Sequence, residues 1–286
     1  MGETLNFKEK YGPWALVVGA SAGLGEAFAE NCAKRGLNVI LCARRIEKLD
    51  EVAAGLRERY GILTRQIAAD ISSQDCADQI IAKIRDLKIG FYIFNAAIAM
   101  GGPFIQIKEA DLVKAITGNC VTPTKLTRYI AREMAKRRRG GIYLVTSLGG
   151  LGGMGNWISY SSCKAYQIIM GEGLWFEMRR YGVDAATYVV GATETPTYLE
   201  TQNKTSTGIS SRAETGDLTA GATLPRTPES VAAYLFTQLQ DGPRLYSNPD
   251  DKLTAESMAE APRDIFVETV STIAAQHASG GTNALE

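Results

Sequence analysis

Apolar runs alternate with amphipathic stretches along most of the chain. Runs dominated by apolar residues are typical of buried strands, and they cover residues 14–18, 38–43, 63–69, 90–95, 142–146, 183–190 and a short segment near 244–247. Between them, apolar positions recur with helical spacing over residues 24–35, 46–59, 74–86, 108–138 and 157–181. This alternation predicts an α/β fold: a doubly wound, Rossmann-like parallel sheet of about seven strands with helices on both faces.

Two stretches interrupt the alternation. One is the glycine-rich segment 149–155, and the other is 192–226, which is rich in Thr, Ser, Gly and Ala. A loop as long as the second is usually functional or disordered, so we expect it to form a lid over a substrate. The length of 286 residues suits one large domain. We place that domain at residues 1–277, followed by a disordered tail at 278–286.

The first predicted strand leads directly into a glycine-rich turn, Gly19-Ala20-Ser21-Ala22-Gly23-Leu24-Gly25. Glycines let the backbone approach a phosphate, and the free N–H groups of the following helix favour its negative charge. The same turn could be only a tight connection between strand and helix. Its position directly after the first strand favours a phosphate site.

A second motif lies in and just before the helical pattern 157–181. Tyr160 and Lys164 are four residues apart, and Ser147 precedes Tyr160 by thirteen. Residues four apart share one face of a helix, so the ammonium of Lys164 should lie beside the phenol of Tyr160. A nearby cation lowers the pKa of a phenol and fits it for proton transfer. An isolated Tyr-x-x-x-Lys could equally be a solvated helix face, and the glycine turn is what favours chemistry.

Together these residues resemble the short-chain dehydrogenase/reductase family, over roughly residues 14–240. The resemblance implies a nicotinamide cofactor, a small-molecule carbonyl or alcohol substrate, and four catalytic residues, Asn119, Ser147, Tyr160 and Lys164. In the family's mechanism, Tyr160 would exchange a proton with the substrate oxygen, which Ser147 would hold in place. Lys164 would bind the ribose and lower the pKa of Tyr160, and Asn119 would support a water-linked proton relay.

The resemblance also assigns a set of cofactor-binding residues, most of them at or just past the carboxyl ends of predicted strands, where ligands bind in such sheets. They are Gly19, Ser21, Ala22, Gly23, Leu24, Gly25, Arg44, Arg45, Asp70, Ile71, Asn95, Ala96, Ala97, Tyr160, Lys164, Gly191, Thr193 and Thr195. The sequence departs from the family's usual residues at four scaffold positions, Val18, Phe94, Ala97 and Val190. These departures concern local loop geometry more than the chemistry.

The end of the second strand indicates which cofactor binds. Folds of this kind place an acidic residue about 20 positions beyond the glycine turn when they bind NAD. Here the strand ends in Arg44-Arg45, and the nearest carboxylate, Glu47, follows on the next helix. Arginine suits a 2′-phosphate, so we predict NADP(H) rather than NAD(H). The alternative is that both arginines are ordinary surface charges.

Apolar and small residues suggest a hydrophobic substrate. The resemblance places substrate contacts at Ser147, Gly149, Met154, Trp157, Tyr160 and Tyr198, with Ile158 beside them. Two stretches, Phe7-Lys8-Glu9-Lys10-Tyr11-Gly12-Pro13-Trp14 and Gly191-Ala192-Thr193-Glu194-Thr195-Pro196, resemble bacterial hydroxysteroid dehydrogenases of the 7β type. They imply a steroid-like substrate, although they could reflect subfamily scaffold instead.

Two other functions are compatible with parts of the sequence. Gly19-Ala20-Ser21-Ala22-Gly23 also reads as the Gly-x-Ser-x-Gly of a serine hydrolase with Ser21 as nucleophile. Such an enzyme needs a histidine base, and the single histidine, His277, lies in a C-terminal segment that we expect to be mobile. The second alternative is a non-catalytic NADP(H)-binding sensor on the same fold, which would have no need of Ser147, Tyr160 and Lys164 together.

Composition indicates which partners, metal sites and cellular compartment to expect. The formal net charge is zero, so nothing suggests a nucleic-acid partner. Five widely spaced cysteines and one histidine predict reduced thiols and no metal site. No apolar run approaches the ~18 residues of a membrane span, and no signal-peptide pattern opens the chain, so we expect a cytoplasmic protein without a membrane partner. Apolar residues on 157–181 predict a homodimer or homotetramer.

Overall fold

The computed structural model describes residues 2–196 and 225–278. It contains a seven-stranded sheet whose strands closely follow the predicted apolar runs. They are β1 (Trp14–Val18), β2 (Asn38–Ala43), β3 (Thr64–Ala68), β4 (Ile89–Phe94), β5 (Gly140–Ser147), β6 (Val183–Val190) and β7 (Arg244–Tyr246). The strands are adjacent in the order β3-β2-β1-β4-β5-β6-β7, and every pairing is parallel. The predicted doubly wound, Rossmann-like sheet is therefore confirmed.

Helices connect the strands and cover both faces of the sheet. They are α1 (Gly2–Tyr11), α2 (Gly23–Lys34), α3 (Ile46–Tyr60), α4 (Cys76–Ile84), α5 (Glu109–Ile116), α6 (Thr122–Arg137), α7 (Ile158–Met178), α8 (Pro228–Leu235), α9 (Pro249–Glu260) and α10 (Arg263–Ala278). The predicted helix 108–138 is two α-helices, α5 and α6, joined by one π-helical turn, Thr117–Val121. None of the described helices is long and apolar enough to cross a membrane.

The last three helices fall outside the predicted pattern. In α9 only Asp251 and Ala255 are buried, which leaves too few apolar positions to show a period. The C-terminal helix α10 runs to Ala278, so it includes His277, which we expected in a mobile segment. The predicted tail 278–286 lies outside the described residues except for its first residue.

The alternation of side chains along each strand divides the core into two layers. In β1, Ala15 and Val17 pack with residues of α2, α3 and α8 on one face of the sheet. Leu16 and Val18 pack with residues of α4 and α6 on the other face. Because both faces are covered, the inner strands β1, β2, β4, β5 and β6 are mostly apolar and buried, and the polar functional groups gather at the carboxyl edge.

Candidate active site

The carboxyl edge of the sheet brings together segments that are far apart in the sequence. The glycine turn follows β1, Arg44 follows β2, Asp70 follows β3 and Asn95 follows β4. Ser147 ends β5, and Gly191 follows β6. Parallel strands present all of their carboxyl ends at one edge, so these residues form one continuous border along the sheet.

The glycine turn (residues 19–25) is closed by contacts between backbone atoms. A Cβ on Gly25 would lie 1.8 Å from the Gly19 carbonyl oxygen, and a Cβ on Gly19 would lie 2.7 Å from the backbone nitrogen of Ala96. Gly19 also has a φ of 90°, which side chains disfavour. The Asn95 side-chain amide donates to the Gly19 carbonyl at 3.3 Å and ties the turn to β4.

The turn leads into an uncapped helix. Ala22 precedes α2 with an extended backbone and supplies no side-chain cap, so the first N–H groups of α2 have no acceptor from that residue. Ser21, next to it, accepts a hydrogen bond from Arg45 at 3.5 Å. The residues present therefore fit a phosphate group, which would accept from the free N–H groups and face a cation.

The arginines that follow β2 are exposed beside the turn. The pKa of Asp70 is held below its ordinary value, first by a backbone hydrogen bond from Ser72 and, more weakly, by the positive charge of Arg44. Arg44 and Asp70 are therefore close enough to interact, and Arg45 reaches Ser21. Glu47 lies in the first turn of α3 and is exposed.

Smaller residues complete this half of the site. The backbone nitrogen of Ala96 donates to the Val18 carbonyl at 2.9 Å. Ile71 is 8% exposed, and its carbonyl accepts from Thr122 at 2.8 Å. Leu24 is buried in the core, whereas Ala97 is exposed. Most of these residues thus shape the backbone that borders the site.

Tyr160 lies in the first turn of α7, with Ser147 facing it from the end of β5. Burial raises the pKa of Tyr160 above its ordinary value. A hydrogen bond with Ser147 acts in the other direction but only partly offsets this increase. The Lys164 ammonium lies 5.9 Å from the centroid of the Tyr160 ring. The expectation that Lys164 lowers the pKa of Tyr160 is wrong for this structure, because desolvation outweighs the other effects on the phenol.

Lys164 is 3% exposed and is held by two acceptors. Its Nζ donates to the Val145 carbonyl at 2.9 Å and to Gln167 Oε1 at 3.3 Å. Burial lowers the pKa of Lys164 to about 8, and the neighbouring thiols Cys163 and Cys120 oppose that shift. Near neutral pH the amine is thus mostly charged, and it loses its proton as the pH rises above about 8.

Asn119 occupies the middle of the π-helical turn and is fully buried. Its side chain pairs with the backbone of Ile98, accepting from the nitrogen at 2.8 Å and donating to the oxygen at 2.9 Å. Its own carbonyl accepts from Gln167 Nε2 at 2.7 Å. The expected water-linked relay through Asn119 stays a prediction, and the structure shows that the Asn119 carbonyl accepts from the Gln167 amide.

The predicted substrate contacts surround Tyr160 where they are described. The backbone nitrogen of Gly149 donates to Ser147 Oγ at 3.1 Å, and a Cβ on Gly149 would lie 2.9 Å from Met154 Cε. The rings of Trp157 and Tyr160 meet edge to face at 6.0 Å. Tyr198 and most of the predicted lid, residues 197–224, lie outside the described residues.

The C-terminal helix α10 packs against the segment that carries these contacts, a role that the sequence did not reveal. Ser271 Oγ accepts from the backbone nitrogen of Gly155 at 2.7 Å, and the Ala274 carbonyl accepts from Trp157 Nε1 at 3.3 Å. Phe266 lies so close to Gly152 that a Cβ there would be 1.9 Å from its ring. Segments more than 100 residues apart make these contacts, so no local pattern predicts them.

A buried carboxylate holds the segment after β6. Asp251, fully buried in α9, accepts from the Gly191 backbone nitrogen at 3.2 Å and from Asn248 Nδ2 at 2.8 Å. Thr193 is also buried, and its hydroxyl donates to the Gly191 carbonyl at 3.2 Å; the Thr195 nitrogen donates to Thr193 at 2.7 Å. The sequence did not identify Asp251 as part of this arrangement.

Three comparisons with known proteins agree with this geometry. Residues 13–206 match the family model described as short chain dehydrogenase. A 7beta-hydroxysteroid dehydrogenase of Clostridium sardiniense is 34% identical over 83% of this chain and 84% of its own. The corresponding enzyme of Collinsella aerofaciens is 33% identical over 68% and 74%. A structure from a study of 7beta-hydroxysteroid dehydrogenase stereoselectivity superposes with a TM-score of 0.82 at 28% identity, over 92% of this chain and 98% of the other.

Proposed function

The chain belongs to the short-chain dehydrogenase family, and on that premise we propose that it is an NADP(H)-dependent oxidoreductase acting on a steroid-like carbonyl or secondary alcohol. The observation that carries the proposal is the grouping of Ser147, Tyr160 and Lys164 at the edge of the sheet that also holds the glycine turn. A binding module would not require a hydroxyl, a phenol and a buried amine at one point. The grouping therefore favours catalysis over a sensor role.

Tyr160 acts as the general acid in reduction. Because burial raises its pKa, the phenol is fully protonated near neutral pH and can give its proton to the developing alkoxide oxygen. Ser147 holds that oxygen through its hydroxyl, and in oxidation Tyr160 takes the proton back. The nicotinamide, when bound, supplies or accepts the hydride.

The same residues fit the cofactor. The uncapped start of α2 and the side-chain-free glycine turn would receive the pyrophosphate, and Asp70, Ile71 and Asn95 border the adenosine side. Lys164 would contact the nicotinamide ribose. Arg44 and Arg45 provide two exposed guanidinium groups and no carboxylate at the end of β2, which suits a 2′-phosphate.

The substrate class rests on the lining and on the relatives. Trp157 supplies apolar surface beside Tyr160 and is held in place by α10. Met154 lies against Gly149, which is next to Ser147 in space. Both relatives compared above are named as 7beta-hydroxysteroid dehydrogenases. A hydroxysteroid with its ketone or hydroxyl directed at Tyr160 is thus the substrate that these features support best.

The first experiment separates binding from chemistry. Purified protein is titrated with NADPH and with NADH by nicotinamide fluorescence, and then incubated with 7-keto and 7β-hydroxy bile acids. We expect tighter binding of NADPH and turnover of one of these steroids. In Tyr160→Phe, kcat should fall by about 10³-fold with the NADPH affinity unchanged, because only the proton donor is lost.

Each of the other possible results would contradict a different part of the proposal. Tight NADPH binding without turnover of any ketone or alcohol would favour the sensor. A Tyr160→Phe enzyme as active as the wild type would remove Tyr160 as general acid. Preference for NADH would overturn only the argument from Arg44 and Arg45.

We further propose that α7 takes part in self-association. Ile169 and Phe176 are 66% and 68% exposed, whereas Ile168 and Met178 of the same helix are buried in the core. Ile169 and Phe176 are seven residues apart and therefore lie on one face of α7, and large apolar patches are uncommon on a monomer. Phe176→Glu should shift the sedimentation coefficient to that of a monomer, and an unchanged value would count against the interface.

A further inference from the structure

The amide of Gln167 lies fully buried between α7 and the π-helical turn. It follows Lys164 by three residues, which places the two side chains on one face of α7. Its Oε1 accepts from Lys164 Nζ at 3.3 Å, and its Nε2 donates to the Asn119 carbonyl at 2.7 Å. One side chain thus connects the buried amine of the active site to the backbone of the turn that carries Asn119.

The sequence explains why the Asn119 carbonyl is open to this contact. In an α-helix, the carbonyl of residue 119 would accept from the nitrogen of residue 123. That residue is Pro123, which has no N–H. The α-helical donor is therefore absent at this buried carbonyl, and the Gln167 amide is the donor that the structure shows there.

Lys164, in contrast, carries hydrogen-bond donors that require acceptors. Its ammonium has three N–H groups in a site that is almost closed to solvent, and burying a charge is costly unless acceptors surround it. Val145 provides one carbonyl from β5, and Gln167 provides the second oxygen. A side-chain amide can accept from the amine and donate to the carbonyl at once, as Gln167 does here.

We propose that Gln167 is a positioning residue, whose amide holds the Lys164 ammonium against the π-helical turn and stabilises its charged form. Its importance for catalysis rests on the proposed function, in which Lys164 binds the ribose as a cation beside Tyr160. Gln167 thereby widens the pH range over which Lys164 stays protonated.

The groups around the amine make the direction of the effect clear. Tyr160 and Cys163 face Lys164 from α7, and Cys120 faces it from the π-helical turn. On the β5 side the contact is the uncharged Val145 carbonyl. Among the described residues no carboxylate is a partner of Lys164 Nζ; the Gln167 oxygen is the side-chain acceptor that its N–H groups contact, while Cys163 and Cys120 favour the charge from nearby.

The experiment measures the titration of Lys164 directly in the protein without cofactor. Protein carrying ¹³C-labelled lysine is followed by NMR from pH 6 to 11, and the Lys164 Cε signal is identified by its loss in Lys164→Met. Gln167→Met keeps the volume but removes both hydrogen bonds, so the Lys164 pKa should fall by about one pH unit. Gln167→Glu places a carboxylate at the amine and should raise it by at least that much.

Gln238→Met is the matched control. Gln238 also donates to backbone carbonyls, at 2.7 Å to Tyr246 and 3.4 Å to Tyr234, but it has no lysine partner. It should leave the Lys164 titration unchanged. Equal Lys164 pKa values in the wild type, Gln167→Met and Gln167→Glu would overturn the proposal, even if all three variants lose thermal stability.

The wild-type protein provides a second measurement if the variants fail to fold. The side-chain amide protons of Gln167 should exchange with solvent at least about 10²-fold more slowly than those of exposed glutamines, because the amide is buried and bonded. Exchange at the exposed rate would also overturn the proposal. Neither measurement uses a substrate, so the proposal for Gln167 can fail while the oxidoreductase function stands, and the reverse.

Discussion

The glycine turn (residues 19–25) and the catalytic segment of α7 (residues 160–167) lie at the same edge of the sheet, but they are built differently. The turn is closed by backbone against backbone, as the 1.8 Å approach that a Gly25 Cβ would make to the Gly19 carbonyl shows. The catalytic segment depends on side chains whose partners come from β5 and the π-helical turn. The turn is closed by a contact between two of its own residues, whereas the side chains of the catalytic segment are held by partners from other elements.

The difference extends to electrostatics. At the turn the charges that would face a phosphate are exposed, as Arg44 and Arg45 are. In the catalytic segment burial controls the titration: it raises the pKa of Tyr160 and lowers that of Lys164 to about 8. Substitutions in the turn should therefore act on affinity, and substitutions in the catalytic segment on protonation.

The largest effect, on NADPH affinity, is expected at Gly25, where the backbone leaves no space for a side chain. Gly25→Ala forces a Cβ into the Gly19 carbonyl, so the turn must move, and NADPH affinity should fall by about 10²-fold. The fluorescence titration measures the affinity, and kcat at saturating NADPH should change much less. An affinity equal to that of the wild type would show that the turn can adapt and that the contrast between the two regions is false.

Gly55→Ala is the control for that substitution. Gly55 lies inside α3, and an added Cβ would meet only the flexible Arg59 side chain, at 3.5 Å. The replacement should leave NADPH affinity unchanged and stabilise the protein by about 0.5–1 kcal/mol, because alanine is the better helix former. A loss of affinity here would mean that any change in glycine content disturbs binding.

An intermediate effect is expected from the buried amine. The folded pKa of Lys164 lies near 8, below the ordinary 10.5, so between these values the unfolded state binds more protons. Stability must then rise with pH across that window, whereas below about pH 8 the full cost of burying the charge is present. From pH 7 to 10 the wild type should gain about 2 kcal/mol relative to Lys164→Met.

Urea unfolding at several pH values measures this gain. Comparison with Lys164→Met cancels the contributions of other groups, including the buried tyrosines, whose raised pKa values lower stability at higher pH. Parallel stability curves for the two proteins would mean that Lys164 titrates normally. Its burial would then have no electrostatic consequence, and the two regions would not differ in this respect.

The smallest effect is expected at the exposed arginines. Arg44→Ala combined with Arg45→Ala should weaken NADPH binding by about 10-fold, because exposed charge pairs each contribute about 1 kcal/mol or less. NADH binding should be unaffected, since NADH has no 2′-phosphate. The ratio of the two dissociation constants is the measurement, and an equal loss for both cofactors would show that the arginines act on the shape of the turn.

Local sequence determined the fold class and predicted most residues of the candidate site. The inner strands are mostly runs of apolar residues. The glycine turn and the Tyr160–Lys164 spacing are short motifs, because the conformation of a turn and the face of a helix depend on neighbours within a few residues. The borders of β1, β2 and β6 agree with the prediction to the residue. The parallel arrangement of about seven strands followed from the alternation of strands and helices, whereas the order of the strands came only from the structure.

Tertiary structure decided what the motifs do. The sequence predicted a phenol with a lowered pKa, but a pKa depends on solvent exclusion and on partners that lie far away in the chain. Val145 and Asn119 reach Lys164 and Gln167 from 19 and 48 residues away, and α10 reaches Trp157 from 117. Burial and hydrogen bonding arise only when distant segments pack together, so they leave no local pattern to read.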